Sequence, residues 1–262
     1  MPSNTDAAAA ALIHRTWQDG TTFDALPPAL RPATRAAGYA IQAALAAFSA
    51  APLYGWKIAA TSLAGQRHIA VAGPLAGRIF AERVIAEGEA VPFGVNHMRV
   101  AEVEFAFRMA GDLPPRAAPY TAAEVIAAVA TLHPAIEIPD SRFTDFTQAG
   151  EAQLIADLAC GHYFVAGAAT TADWRGLDLA AHRVIATRNG GPPVEGFGAN
   201  VLGDPRVALA WLANELSGLG IPLRAGETIT TGTCLIPIPI APHDVIAADF
   251  GVLGQITVRF GS

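Results

Sequence analysis

Lysine is nearly absent from this chain. Of 17 basic residues among 262, a single one, Lys57, is lysine and the rest are arginine. Cysteine is almost as scarce: Cys160 and Cys234 stand alone, without metal-ligand spacing. That excludes a disulfide-stapled scaffold or a cysteine-rich zinc module and fits a reducing compartment, so a cytoplasmic location is expected. No apolar run reaches the ~20 residues that a spanning helix needs. The first residues lack the basic start of a secretion signal. An excess of positive charge is missing too. The net charge is −6 and the pI about 5.6, which argues against a nucleic-acid or anionic-membrane surface.

What the chain has in plenty is apolar residues (52%), with 25 glycines and 19 prolines. That length and content support one large domain, or a small one attached to a larger one. Frequent Gly and Pro favour many short strands and turns over a helical bundle. No internal repeat, low-complexity segment or linker is evident. The expected plan is α+β: a small helical N-terminal region, residues 1–50, on a strand-rich core, residues 51–262.

The most informative stretch is Ala101-Glu102-Val103-Glu104-Phe105-Ala106-Phe107. It reads as a strand, β-branched and aromatic with no Gly or Pro. Side chains alternate faces, so Glu102 and Glu104 point one way and Val103, Phe105 and Phe107 the other. Two acids on an apolar strand repel and lose hydration, so a positive partner is expected, or one acid stays protonated. A hard divalent cation answers that need, although a solvated strand face is the plain alternative. A third acid strengthens the metal reading. Glu137 sits in His133-Pro134-Ala135-Ile136-Glu137-Ile138, with Ile136 and Ile138 on the opposite face. Asp140, beyond Pro139, is open to three readings, a fourth ligand, an acceptor behind the ligands or a turn residue, of which the turn best fits an Asp beside Pro.

Lys57 lies in the apolar segment Gly55-Trp56-Lys57-Ile58. An arginine serves most surface sites, but only an ammonium can donate and recover a proton near neutral pH. A catalytic or substrate-binding lysine and a chance survivor are both open on this observation.

Along the chain, residues 5–19 and 34–49 read as helices and Leu53–Ala59 as a strand. Thr61-Ser62 caps a short helix to about Ile69. Residues 73–80 read as a loop with a possible short strand. Thr121 and Glu124 form a capping-box pattern that opens a helix ending near Leu132. Residues 141–152 read as an irregular polar loop, a candidate lid. A helical turn at 154–158, strands at 162–167 and 183–188, and a Gly-rich loop at 196–203 follow. Asp204-Pro205 starts a helix with an apolar stripe of Leu209, Leu212, Ala213 and Leu216, stopping at Gly218/Gly220. The final strands are expected at 227–231, 244–249 and 252–260.

Several segments match a known group in order. Gly55-Trp56-Lys57-Ile58-Ala59-Ala60-Thr61-Ser62 resembles the G-[YW]-K-[IV]-x-x-T-[SN] segment of the 2-keto-4-pentenoate hydratase and 4-oxalocrotonate decarboxylase family, in the fumarylacetoacetate hydrolase superfamily. The likeness continues through Glu102-Val103-Glu104, Pro134-Ala135-Ile136-Glu137-Ile138, Asp140-Ser141-Arg142, Ile155-Ala156-Asp157, Gly198 to Pro205 and Thr231-Gly232-Thr233. It covers nearly the whole chain.

The resemblance implies a fumarylacetoacetate-hydrolase-like core and a homo-oligomer, in some relatives a hydratase–decarboxylase complex. It implies Mg²⁺ or Mn²⁺ on Glu102, Glu104 and Glu137. The implied substrates are 2-hydroxy-dienoic or 2-oxo-enoic acids from aromatic-ring degradation, acted on by a hydro-lyase. On this basis Lys57, Arg142 and Thr233 are expected to bind substrate and Lys57 to act in catalysis; Cys160 and His162, beside the point where this chain departs from the family pattern, are the further catalytic candidates, with a structural histidine the plain alternative for His162. A decarboxylase, an acylpyruvate hydrolase or a non-catalytic partner subunit are the alternatives. The hydrolase is disfavoured because no His–Glu pair follows His14.

Two departures stand out. Several relatives carry an acid where this chain has Leu75, and many read Ala-Asp-Asn-Ala-Ser where it has Ala156-Asp157-Leu158-Ala159-Cys160. The metal side of the site is expected to be intact and the water-handling side altered, so that ketonisation outpaces hydration.

Overall fold

The computed structural model describes residues 3–262. The chain opens with helix α1 (Asn4–Asp19), capped by Ser3 in a reciprocal capping box with Asp6 and ended by Gly20 in the left-handed region (φ 62°). Helix α2 (Arg35–Ala44), capped by Thr34, runs on into a 3-10 turn, Leu45–Phe48. Strand β1 (Leu53–Ala59), helix α3 (Leu63–His68) and strand β2 (Leu75–Phe80) follow, then β3 (Ala90–Val91) and β4 (Val100–Met109). The middle of the chain forms α4 (Ala122–Ala127), β5 (Val129–Ile138), α5 (Glu151–Ala156), β6 (Tyr163–Ala166), β7 (Arg183–Arg188) and β8 (Val194–Phe197). Helix α6 (Pro205–Gly218) precedes β9 (Thr228–Thr233), β10 (Ile238–Pro239), β11 (Val245–Asp249) and β12 (Gln255–Phe260).

Two sheets result. The larger has the order β2-β1-β9-β4-β5-β6, with β10 added on β4; the smaller has the order β3-β12-β11-β7-β8. Most pairs are antiparallel, but β1 and β9 run parallel, as do β12 and β3. One apolar core joins the helices to both sheets, from Ile13 and Ile41 through Trp56 and Phe105 to Phe250 and Ile256. Phe105 and Phe250 meet edge-to-face across it, centroids 5.2 Å apart. Among the described residues no helix is long and apolar enough to cross a membrane.

The α+β expectation holds, and three local readings change. The helix opened by Thr121 stops at Ala127, not Leu132, and the chain from Val129 onward is strand. Val129, Thr131 and Leu132 gain a ladder against β4, which outweighs a weak helical preference. Pro134 is tolerated inside β5 because the β6 ladder begins only at Ala135, while the Pro134 carbonyl still accepts from Gly167 N at 2.9 Å. Residues 75–80 are a full strand, with Gly77 serving a close approach and not a turn. The 141–152 segment starts as core: Ser141, Arg142 and Phe143 are buried. The short β3, β8 and β10 were not expected, and β8 takes in Gly196 and Phe197 from the segment read as a Gly-rich loop.

Candidate active site

The site is built on the register of β4 and β5. Glu102 lies opposite Glu137 in that antiparallel pair, and Glu104 lies opposite Thr233 of β9 on the other side. Alternation sends Val103, Phe105 and Phe107 into the core, all fully buried. One carboxylate oxygen from each of Glu102, Glu104 and Glu137 lies within 4.8 Å of the others. Glu104 and Glu137 are buried and Glu102 is half-buried.

Their hydrogen bonding is incomplete. Glu104 Oε2 accepts from the Thr230 hydroxyl and from Gly232 N at 2.6 Å. Glu104 Oε1 and both oxygens of Glu137 accept no hydrogen bond. Lys57 Nζ stands 3.1 Å from Glu137 Oε1 as an ionic contact and donates to the Ala159 carbonyl at 2.9 Å. One ammonium therefore faces three carboxylates. Burial pushes the Glu104 carboxyl well above the usual range, and Glu137 and Glu102 push it further. Burial also raises Glu102 and Glu137, the latter to about 7 against the opposing pull of Lys57. Burial by itself would lower Lys57, but Glu137 and Glu102 outweigh it, so the lysine is held as an ammonium. Buried oxygens without partners, all from hard carboxylate ligands, fit a divalent metal ion.

Lys57 is aimed by backbone that no periodicity reveals. Leu158, Ala159 and Cys160 all adopt the left-handed region, at φ 58°, 50° and 63°. Such a residue costs roughly 1–2 kcal/mol when it is not glycine. The turn that results points the Ala159 carbonyl at Lys57 Nζ. Gly77 makes room for it, because a Cβ there would sit 1.9 Å from the Leu158 carbonyl oxygen. Gly232 has a similar task on the other side: its φ is 95°, and a Cβ would meet Thr61 Oγ1 at 2.1 Å.

Lys57, Glu102, Cys160 and Thr233 line a cavity of about 1060 Å³, together with Leu75. Leu158 does not line it; its side chain is buried in the core. The Cys160 thiol is pushed up to about 12 by burial and by Asp157, so it stays protonated. Thr233 donates its hydroxyl to the Leu235 carbonyl at 2.7 Å.

The structure does not bring Arg142 or His162 to this cavity. Arg142 is buried in an ion pair with Asp157 and donates to the carbonyls of Asp140, Asp157 and Gly161. Its guanidinium thereby braces both ends of the left-handed turn. His162 accepts from Trp17 Nε1 at 2.7 Å through Nδ1. Burial, then Arg142 and Arg83, lower the imidazole to about 2, so it is neutral. It lines a separate water-sized crevice of about 10 Å³ with Trp17 and Arg83. Asp140 is an anchor: its Oδ1 accepts from His97 N at 2.8 Å and Met98 N at 3.2 Å. Thr230 and Gly232 were not singled out from the sequence as partners of Glu104. The Gly232 position in Thr231-Gly232-Thr233 was the one available signal.

Breaking the Arg142–Asp157 pair leaves a fully buried carboxylate without its cation. Arg142→Met is expected to lower stability by about 3–5 kcal/mol. A second change, Asp157→Leu, should return part of that loss. Urea denaturation of the single and double variants measures both, and an undiminished midpoint for Arg142→Met would contradict the bracing role.

Comparisons with known proteins place the chain among its relatives. No family model matches the chain. It is 34% identical over 208 residues to a 2-keto-4-pentenoate hydratase of Paraburkholderia xenovorans, covering 79% of this chain and 76% of that protein. It is 31% identical over 260 residues to a 2-keto-4-pentenoate hydratase of Burkholderia vietnamiensis, covering 98% of both. Among solved structures, a 4-oxalocrotonate decarboxylase from Pseudomonas putida in complex with magnesium and adipate superposes with a TM-score of 0.88 at 26% identity, over 97% of each chain. The fold is that of the fumarylacetoacetate hydrolase superfamily. Within it, the chain belongs to the 2-keto-4-pentenoate hydratase family.

Proposed function

We propose that this protein is a divalent-metal-dependent hydro-lyase acting on 2-hydroxy-dienoic and 2-oxo-enoic acids in the breakdown of aromatic compounds, with Mg²⁺ as its ion. The observation that carries the reading is the set of unpartnered carboxylate oxygens on Glu104 and Glu137 beside Glu102 and Lys57, at the edge of a large cavity. Glu102, Glu104 and Glu137 would hold the ion. When bound, it supplies Lewis-acid polarisation of the substrate's 2-oxo or 2-hydroxy oxygen.

The chain's own groups supply the rest. Lys57, fixed by Glu137 and the Ala159 carbonyl, presents positive charge and an N–H donor toward an anionic head group. Leu75 and the neighbouring apolar wall exclude bulk water, which strengthens that charge. Hydration of the pentadienoate also requires the water oxygen to bond to C4 while C5, the far end of the diene, takes up a proton and the 2-hydroxyl proton is released as the 2-oxo group forms. Cys160 is the candidate polar group on that wall, and a protonated thiol is a weak hydrogen-bonding partner.

The test is turnover of 2-hydroxypenta-2,4-dienoate in D₂O, followed by proton NMR with and without Mg²⁺. Metal-dependent formation of 4-hydroxy-2-oxopentanoate is expected, alongside deuterated 2-oxopentenoate. Cys160→Ser, with its stronger donor and acceptor, should raise the hydrated fraction several-fold; general acid–base help is worth roughly 10²–10⁴-fold when fully in place. The lyase reading fails if neither product forms faster with metal than without.

A further inference from the structure

The cavity is far larger than a five-carbon acid requires. Sites that bury drug-sized ligands measure about 300–1,000 Å³, and this one is about 1060 Å³. Its charged groups are confined to one end. Among the described residues, Lys57 and Glu102 are the only formally charged side chains that line it, and no arginine does. Lys57 is already committed to Glu137 and the Ala159 carbonyl.

Three of the neutral polar side chains along the wall are committed to the backbone. Gln66 Nε2 donates to the Ala60 carbonyl at 3.1 Å, Asn200 Nδ2 to the Cys234 carbonyl at 2.8 Å, and Thr233 to Leu235. His68, at the exposed rim, packs edge-on to Phe146 with centroids 5.7 Å apart. Apart from the hydroxyls of Thr61 and Ser62, the remaining side chains of the wall are apolar, from Leu154, Leu235 and Met98 to Phe146. At the mouth Leu63 and Ile236 are 71% and 77% exposed, an unusual display for large apolar side chains beside a cavity. A carboxylate at the far end of a substrate would lose its hydration and find no cation there. An alkyl or aryl tail would find matching apolar surface.

We propose that the preferred substrate is a monocarboxylic 2-hydroxy-alkadienoate carrying a hydrocarbon tail of several carbons beyond the diene, and that dicarboxylic substrates such as 4-oxalocrotonate are rejected. The inference rests on the lyase reading and adds the substrate class. It places the enzyme after a ring-cleaving reaction sequence that releases an alkyl- or aryl-substituted dienoic acid.

Saturated 2-oxo acids test this without turnover. The Mg²⁺-loaded protein is titrated calorimetrically with 2-oxopentanoate through 2-oxooctanoate, and with 2-oxoadipate, which matches 2-oxohexanoate in length but ends in a second carboxylate. Each buried methylene should tighten Kd about fourfold, giving about 50-fold across the series. 2-Oxoadipate should bind at least about tenfold more weakly than 2-oxohexanoate. Ile236→Arg, at an exposed position that leaves the core untouched, should narrow that gap at least about fivefold. Affinity that is flat with length, or equal binding of 2-oxoadipate, overturns the tail while leaving the lyase reading in place. No binding by any 2-oxo acid overturns both.

Discussion

Glu104→Gln is expected to cost this protein at least about 10²-fold in Mg²⁺ affinity, with a matching fall in turnover at limiting metal, while leaving the metal-free protein as stable or more stable. Loss of even an outer-shell partner of a metal ligand typically costs 10–100-fold, so removing a ligand's charge sets that range as a floor. The stability sign comes from burial. Glu104 is fully buried, and its carboxyl is pushed well above the usual range by burial and then by Glu137 and Glu102. An amide removes the like-charge repulsion, and its oxygen can still accept from Thr230 and Gly232 N, the partners of Oε2. Glu137→Gln should weaken metal binding as strongly but gain less stability, because Glu137 is the nearest counter-charge to Lys57. Thermal melts in chelator against melts in excess Mg²⁺ separate the two effects. Wild-type protein should gain about 2.7 kcal/mol at a hundredfold excess over Kd, and Glu104→Gln much less at the same concentration. Normal Mg²⁺ binding by both variants would remove the three glutamates as the metal site.

That opposition of signs is what a functional site built at a cost to stability looks like. The bare site stores like charge on adjacent strands, leaves carboxylate oxygens unpartnered, and holds three consecutive non-glycine residues in the left-handed region. Gly77 and Arg142 keep the last of these in place from opposite sides, one by lacking a side chain and the other by binding the carbonyls of Asp157 and Gly161 that flank the turn. Neither lines the cavity, yet each determines where the Ala159 carbonyl, and so Lys57, can sit.

The sequence carried the local half of this arrangement. The parity of Glu102 and Glu104 follows from strand alternation alone, and the bounds of Leu53–Ala59 and Arg183–Arg188 match the strands observed. Caps at Ser62, Thr121 and Asp204 were readable because the donor and acceptor lie within three residues of each other. What stayed hidden is non-local. Nothing near Glu137 states that it will face Glu102 across a ladder, and nothing near Thr230 states that its hydroxyl will reach Glu104. The resemblance to a known family supplied the first of these. It did not separate residues retained for the site from residues retained for its support, so Arg142 was expected to bind substrate although its donors are engaged within the protein. A buried arginine and a substrate-binding arginine look alike in one dimension. His162 shows the same ambiguity: it adjoins the turn in sequence but points at Trp17 in space.

Lys57→Arg keeps the charge and should still disable the enzyme, lowering turnover by about 10²–10⁴-fold, the range for loss of a positioned proton donor. The packing around Lys57 also implies a moderate loss of stability. The Lys57 side chain is 3% exposed, and it runs so close to Gly77 that a Cβ there would be 3.1 Å from its Cδ. Its Nζ has two fixed neighbours, Glu137 Oε1 at 3.1 Å and the Ala159 carbonyl at 2.9 Å. A guanidinium is planar and wider, so it can meet both only by displacing the left-handed turn. Overpacking of this kind costs typically about 1–3 kcal/mol. For a chain of this size each kcal/mol moves Tm by roughly 2–4 °C, so a visible but survivable shift is expected. Metal affinity should change little, since all three glutamates remain. Lys57→Met provides the control: it fits the slot but leaves the Ala159 carbonyl without its donor and the carboxylates without their ammonium. It should lose turnover at least as severely as Lys57→Arg. Steady-state rates on a substrate that the wild type consumes, with Mg²⁺ titrations run alongside, measure both. Wild-type turnover in Lys57→Arg would show that the ammonium's compact shape and its seat between Glu137 and Ala159 have no part in the reaction.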